Sequence, residues 1–252
     1  MSELAGLNAL VTGGGRGIGA AIAAALTDKG VRVTVLGRDE AALAARVQAK
    51  EAAAYIRADV TDPSGFEAIM TRIAAEGAVD ILVNNAGAAL SAPFLKTTNA
   101  DFQRMLEVNL LGPVIAARAV LPGMIARKFG RVVNIASTAA LKGYPYISAY
   151  AASKHALLGL TRTLALELAK TGVTANAVCP GFTDTDMASA SVERIVAKTG
   201  RSEEAARAEL TRTNPMGRLI APEEVADAVC FLARRESGSI TGSAIAVAGG
   251  EI

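Results

Sequence analysis

The chain has no tryptophan, a single histidine, two cysteines and an aromatic content of 4%. Each scarcity closes off a class of chemistry. One histidine, His155, cannot build a multi-histidine zinc site, and no metal is expected. Cys179 and Cys230 are too few for a disulfide framework. They read as small buried hydrophobes in a reducing, cytoplasmic compartment. Charge of one sign is also missing: 26 Lys+Arg against 24 Asp+Glu leave +2, with no long basic block, so nucleic acid is not an expected partner. Apolar runs are broken by Gly, Arg, Glu or Lys before the roughly 18–20 residues that a bilayer span requires. No basic segment leads into an unbroken apolar stretch near the start, so neither a membrane nor a signal peptide is expected. No serine occupies a Gly-x-Ser-x-Gly elbow, which disfavours a Ser/His/Asp hydrolase.

What is present is a long apolar chain. Its 252 residues are 51% hydrophobic, 20% charged and have a mean hydropathy of +0.33, enough to bury a sizeable core. Short β-branched runs alternate with Ala/Leu-rich helical stretches. Strands are predicted at Leu7–Thr12, Val31–Leu36, Ala54–Arg57, Val79–Val83, Arg131–Ile135, Val173–Val178 and Ile245–Val247. Helices are predicted at Ile18–Lys29, Glu40–Lys50, Pro63–Glu76, Ala149–Lys170 and Pro222–Arg234. Asp62 is placed as an N-cap ahead of Pro63. One long helix is predicted over Asp101–Arg127, eased near Gly112 and Pro113. Continuous apolar strands separated by helices indicate a parallel sheet covered on both faces, doubly wound with right-handed crossovers in a single α/β domain over residues 1–252. The rhythm breaks only at residues 184–218, where Met187–Arg212 reads as helices in an excursion of the kind that forms a substrate lid. Its six basic and six acidic residues cancel, so its charge says nothing about the ligand.

The first strand runs into Thr12-Gly13-Gly14-Gly15-Arg16-Gly17-Ile18-Gly19 and then a helix. Without Cβ atoms the backbone can turn tightly and approach a pyrophosphate, and the helix N-terminus presents free N–H groups and a positive dipole end. This assigns Gly13, Gly15, Arg16, Gly17, Ile18 and Gly19 to a dinucleotide, unless the stretch is an ordinary glycine-rich turn. At the tip of the second strand stands Gly37-Arg38-Asp39. A guanidinium there favours a 2′-phosphate, so Arg38, with Arg16, points to NADP(H) in preference to NAD(H). The competing reading has Asp39 take the ribose, both arginines being solvated. Asp59, followed by Val60, either accepts from the adenine amine or caps a helix. Asn84-Asn85-Ala86-Gly87 closes the fourth strand; asparagine side chains can bond backbone there while Ala86 and Gly87 leave room for a flat ligand, unless the stretch is a simple turn.

Tyr150 and Lys154 lie four apart at the start of a helical pattern and so share a face. An ammonium beside the phenol, together with the positive ring of a bound cofactor, is expected to lower its pKa from about 10, making it a general acid or base, unless the pair is only a surface contact. Ser137 lies at the carboxyl end of the fifth strand, where ligands bind in such sheets, and can hold a carbonyl oxygen beside Tyr150. Asn109 is an amide in an apolar helix segment. It either satisfies helix packing or orders a water in a proton relay from Lys154.

Together, Thr12–Gly19, Asn84–Gly87, Asn109, Ser137, Tyr150-Ala151-Ala152-Ser153-Lys154 and Pro180-Gly181 resemble the short-chain dehydrogenase/reductase family, in the family's order over nearly the whole chain. The resemblance implies a Rossmann-type fold with a seven-stranded parallel sheet and a homotetramer or homodimer. It implies Tyr150 as acid/base, with Lys154 lowering its pKa and binding the nicotinamide ribose. Ser137 would polarise the carbonyl, Asn109 would hold the relay water, and Thr183, after Pro180-Gly181, would bind the carboxamide. Ser153-Lys154-His155, Ala177–Phe182 and Pro215-Met216-Gly217-Arg218 resemble ketoreductases of β-ketoacyl chains. The implied activity is NADP(H)-dependent interconversion of a carbonyl and a secondary alcohol on a small molecule such as a 3-oxoacyl thioester. The alternatives are a dehydrogenase of a simple secondary alcohol, hydroxyketone or sugar, or a non-catalytic NADP-binding module.

Overall fold

The computed structural model describes residues 3–252. Its strands are β1 (Asn8–Thr12), β2 (Arg32–Gly37), β3 (Ala54–Arg57), β4 (Ile81–Asn84), β5 (Gly130–Ile135), β6 (Val173–Pro180) and β7 (Ala244–Val247). They form one sheet in the order β3-β2-β1-β4-β5-β6-β7, every pair parallel. Val11 of β1 stands opposite Val35 on one side and Val83 on the other. The winding direction reverses between β1 and β4, which opens a crevice at the carboxyl ends of the strands.

Successive side chains of a strand point to opposite faces, so an apolar strand without alternation must be covered twice. Ala9, Val11, Val33, Val35, Ile81, Val83, Val133 and Ile135 pack with Ile22, Ala23 and Leu26 of α1 (Gly17–Asp28) and with α9 (Pro222–Ala233). The intervening Leu10, Leu36, Leu82 and Val132 pack with Phe66 and Met70 of α3 (Pro63–Glu76) and with α5 (Gly112–Ala126) and α6 (Ser148–Leu168). The doubly covered sheet read from the sequence is therefore what forms. Asp62 caps α3 by accepting from the Gly65 N–H (3.1 Å), as expected, and Asp39 caps α2 (Glu40–Gln48) through the Ala42 N–H (3.0 Å).

The helix expected over Asp101–Arg127 is continuous but not uniform. It comprises α4 (Asn99–Leu106), a π turn at Glu107–Leu111, and α5. In an α-helix the Asn109 carbonyl would accept from the residue four positions on, which is Pro113 and has no N–H. The backbone widens instead, and the Gly112 N–H reaches back to the Glu107 carbonyl. An 18-residue window of the helical stretch Asn99–Ala126 averages a hydropathy of 1.6, long and apolar enough to cross a bilayer, which counting unbroken apolar runs did not detect. Arg118 breaks the run without lowering the average enough. Here Met105, Val108, Ala116, Ala117, Val120 and Met124 are buried, as in a core helix of a globular fold.

β6 runs two residues past its expected end, to Pro180. The chain then leaves the sheet at a parallel bridge between Thr183 and Ile220, with Asp184 N–H donating to Ile220 O and Ile220 N–H to Phe182 O (both 2.9 Å). Between them lie α7 (Asp186–Thr199) and α8 (Glu203–Thr211), which share an apolar contact of Val192, Ala206 and Leu210.

Near the carboxyl ends of the strands a buried polar chain crosses the core. Asn84 Nδ2 donates to Asn134 Oδ1, Asn134 Nδ2 to Thr161 Oγ1 (both 2.8 Å), and Thr161 Oγ1 to Leu157 O (2.7 Å). It ties β4 to β5 and β5 to α6. Asn134→Ala removes the middle member and strands the Asn84 amide, so the urea midpoint should fall by the equivalent of about 2 kcal/mol with the m-value unchanged.

Candidate active site

The site begins where β1 ends. The Thr12 hydroxyl accepts from the Asn85 and Ala86 N–H groups, and Asn85 Nδ2 donates to the Thr12 and Gly13 carbonyls, all at 3.0 Å. These bonds lace the glycine turn to the end of β4. Gly13 has φ +66°, and any Cβ on Gly19 would collide with the Gly13 carbonyl oxygen, so α1 starts directly against the turn. Arg16 is its N-cap without a side-chain cap bond, and its first turn has no acidic residue. The amide groups and positive dipole end thus face the crevice unneutralised from within the helix.

Arg38 stands at the tip of β2 and Arg16 at the end of the glycine turn, as read, but each meets an acid. Arg16 pairs with Asp39 and lies 3.7 Å from Asp186 of α7. Arg38 is exposed, 4.0 Å from Asp59. Asp39 is held below the usual carboxylate range, chiefly by the Ala42 N–H and also by Arg16. Asp59 does not cap a helix, because Asp62 does. Its Oδ1 accepts from Thr61 N–H (2.9 Å) and Oγ1 (2.7 Å), closing a turn. Burial pushes its carboxyl up, yet the Thr61 donors and Arg38 outweigh this and hold it low. Val60 packs on Gly112, where a Cβ would come within 3.1 Å of it.

On the other side of the crevice, Lys154 is 4% exposed and donates to the Ile135 carbonyl (2.8 Å). Its Nζ lies 5.9 Å from the centre of the Tyr150 ring. Ser137 follows β5, its Oγ accepting from Ala139 N–H (3.1 Å), and it stands close enough to the Tyr150 phenol to act on it. Asn109 is fully buried. Its Nδ2 donates to Ala88 O (3.0 Å) and Ser153 Oγ (2.9 Å), and its Oδ1 accepts from Ala88 N–H (3.0 Å). A Cβ on Gly87 would stand 3.1 Å from Asn109 Oδ1 and 3.6 Å from Lys154 Nζ, so this glycine leaves a gap between them. Pro180 and Gly181 end β6 beside this group, and the Thr183 hydroxyl donates to Gly181 O (3.1 Å).

In the chain alone, burial pushes the Tyr150 phenol above its ordinary value and Ser137 acts against this, while the expected lowering belongs to the site with the cofactor's positive ring beside the phenol. Lys154 is aimed at the Ile135 carbonyl, not at the phenol oxygen, and burial lowers its own pKa to about 8. Cys179 lies beneath, and burial pushes its thiol up to about 11, as it does that of Cys230, so both behave as the small hydrophobes expected. His155 is exposed, its ring Nδ1 2.9 Å from Ala151 O.

Two contributors were not singled out from the sequence. Thr12 was read as the end of a strand, although a hydroxyl at the tip of an apolar run was its signal. Ser153 accepts from Asn109 and donates to the Tyr150 carbonyl (2.7 Å), so it links two predicted residues. Its signal was a small polar residue on the buried face of α6.

Because folded Lys154 sheds its proton near pH 8 and an unfolded lysine near 10.5, the unfolded chain binds more protons between these values. Stability contributed by this site therefore rises with pH across that window. Chemical denaturation should show wild type gaining up to about 3 kcal/mol relative to Lys154→Met from below pH 8 to 10.5. Parallel pH profiles of the two proteins would contradict the burial of this charge.

A family model described as short chain dehydrogenase matches residues 7–195. The chain is 41% identical over 249 residues to an acetoacetyl-CoA reductase of Rhizobium meliloti, covering 96% of this chain and 97% of that one. It is 37% identical over 248 residues to a cis-4-hydroxycyclohexanecarboxylate dehydrogenase of Sinomonas cyclohexanicum, covering 96% and 95%. Among solved structures, a single-substitution variant of an actinorhodin polyketide ketoreductase with NADPH superposes with a TM-score of 0.91 at 37% identity, covering 97% of each chain. The crevice, the glycine turn and these full-length likenesses lead to one conclusion: the chain belongs to the short-chain dehydrogenase/reductase family, oxidoreductases that interconvert CH–OH and C=O groups with a nicotinamide cofactor.

Proposed function

We propose that this enzyme reduces the 3-oxo group of an acyl thioester, using NADPH in preference to NADH. The observation that carries the reading is the meeting of Ser137, Tyr150 and Lys154 around one point at the carboxyl ends of β5 and β6. Space and charge suit the dinucleotide: the glycine turn cannot admit a Cβ at Gly19, and α1 offers an uncapped N-terminus.

Gly13, Gly15, Gly17, Ile18 and Gly19 would hold the pyrophosphate. Asp59 and Val60 would flank the adenine. Asn85, Ala86 and Gly87 would border the nicotinamide half, and Pro180, Gly181 and Thr183 its carboxamide. Arg38 and Arg16 would take the 2′-phosphate. Their present partners are solvent-exposed carboxylates in weak, screened pairs, so a dianion can outcompete them. The bound cofactor supplies the hydride.

The residues of the chain manage the oxygen. Ser137 and Tyr150 would bind the carbonyl oxygen where negative charge develops, and Tyr150 donates its proton there. A raised phenol pKa keeps that proton in place at neutral pH, the state a reduction requires. Lys154, oriented by the Ile135 carbonyl, would hold the nicotinamide ribose and oppose the phenolate charge that remains. Both Asn109 N–H groups are spent on protein, so its part in a proton relay would be as an acceptor, through the second lone pair of Oδ1. The excursion between Thr183 and Ile220 would act as the substrate lid. The exposed apolar side chains Phe182, Met187 and Met216 at its edge support an acyl chain as the group it covers. Exposed Leu111 and Leu166 support the association of copies expected from the family resemblance. A second reading, oxidation of a simple or cyclic secondary alcohol, is favoured by the hydroxycyclohexanecarboxylate dehydrogenase relative.

Steady-state rates with acetoacetyl thioesters, free ketones and secondary alcohols separate the two readings. The thioester should give the highest kcat/KM, and an equal or higher value for free alcohols or ketones would overturn the first. Tyr150→Phe should lower kcat by about 100-fold or more with little change in cofactor binding. Arg38→Ala should cut kcat/KM for NADPH by about tenfold or more while leaving NADH nearly unaffected.

A further inference from the structure

The segment after β7 reaches back to the site. Gly249 and Gly250 have φ of +60° and +87°. A Cβ on Gly249 would collide with Asn214 Oδ1, and one on Gly250 would stand 3.4 Å from Pro215. Asn214 is itself fixed, accepting from Met216 N–H (2.9 Å) and donating to Arg218 O (2.8 Å). The pair of glycines thus lies flat on the turn at the foot of the excursion, and this brings Glu251 under cover.

The Glu251 side chain is 1% exposed. A carboxylate stripped of water needs donors, and Oε1 has several. It accepts from the Tyr144 hydroxyl (2.6 Å) and the Thr213 hydroxyl (2.8 Å), and Lys142 Nζ lies 3.4 Å away. Lys142 also donates to the Glu251 carbonyl (3.0 Å). Oε2 lies 3.3 Å from where a Cβ on Gly181 would stand. Three pieces therefore converge on one carboxylate: the loop from Ser137 to α6, the foot of the excursion, and the end of β6. Burial beside Glu251 holds the Tyr144 phenol firmly protonated.

We propose that Glu251 is a positioning residue that, through Tyr144 and Thr213, locks the foot of the excursion to the loop leading into α6 and so fixes one wall of the substrate cleft. Among the described residues it makes no hydrogen bond to those proposed for the dinucleotide, and only Oε2 faces one of them, Gly181. Its loss should therefore act chiefly on the carbonyl substrate and on the excursion, and far less on cofactor affinity. This rests on the carbonyl-reducing reading for its kinetic readout but not for its structural one.

The test uses the full chain with Glu251→Ala, Glu251→Gln and Tyr144→Phe. In Glu251→Ala the KM for the accepted ketone should rise about tenfold, the loss of one charge-assisted hydrogen bond, while the KM for the cofactor stays within about twofold. Glu251→Gln, which still accepts from Tyr144 and Thr213, should recover most of this. Tyr144→Phe should give a smaller rise of the same kind, and combining it with Glu251→Ala should add little. Hydrogen exchange reads the lock without catalysis. Amides in 141–147 and 184–218 should exchange about tenfold faster in Glu251→Ala, with those of β1, β4 and β5 unchanged. Unaltered exchange in those two segments, or an equal increase throughout the sheet, would overturn the proposal even if no ketone were reduced. An accepted ketone whose KM is unmoved in both Glu251→Ala and Tyr144→Phe would overturn it while leaving the reaction itself intact.

Discussion

The whole arrangement depends on how β1 is tied off against β4. A parallel sheet that reverses its winding leaves two loops diverging from adjacent strand ends, with unsatisfied backbone groups on both. Here a threonine hydroxyl and an asparagine amide, Thr12 and Asn85, satisfy them across the gap with four hydrogen bonds. The crevice is thereby held open at a set width, and α1 begins at its edge. Without that lacing neither the amide groups at the start of α1 nor the space beside Gly87 would have a defined relation to the far wall.

The far wall is built on burial of charge. Lys154 is taken out of water and given one carbonyl and a nearby aromatic ring. Removing an ammonium from water disfavours its charged form, and the same desolvation keeps the phenol of Tyr150 neutral. The two effects push in opposite directions along the pH axis, so the lysine sheds its proton more readily than in water and the phenol holds its own more tightly. A bound anionic or cationic ligand can then tilt the pair. The chain alone sets the starting point, and the groups around it, Ser137 on one side and Asn109 with Ser153 on the other, fix the geometry in which it is tilted.

Much of this was legible in the sequence because it follows from periodicity and local chemistry. Strands such as Ile81–Asn84 are buried at every position because both faces are covered, and an unbroken apolar run implies parallel pairing with helices on two sides. The glycine turn, the Tyr150/Lys154 spacing and the cap at Asp62 are short-range features, so they survive reading one stretch at a time. What was not legible depends on three-dimensional neighbours. The direction of the Tyr150 shift turns on how deeply the phenol is buried, which spacing along a helix does not encode. The π turn at Glu107–Leu111 was visible only as an easing at Gly112-Pro113, because the number of residues over which a proline disturbance spreads depends on packing. Glu251 carries no motif at all, and its partners are 38 and 107 residues away.

The bridge between Thr183 and Ile220 has a wider consequence. Both ends of the α7–α8 insertion are fastened at one place on the sheet, so chain of any length can be looped out there at a small entropic penalty. None of the sheet's register would change with it. Evolution can thus trade one head-piece for another on an unchanged chassis, and relatives with similar cores can drift toward dissimilar molecules without ever rebuilding the part that moves the hydrogen.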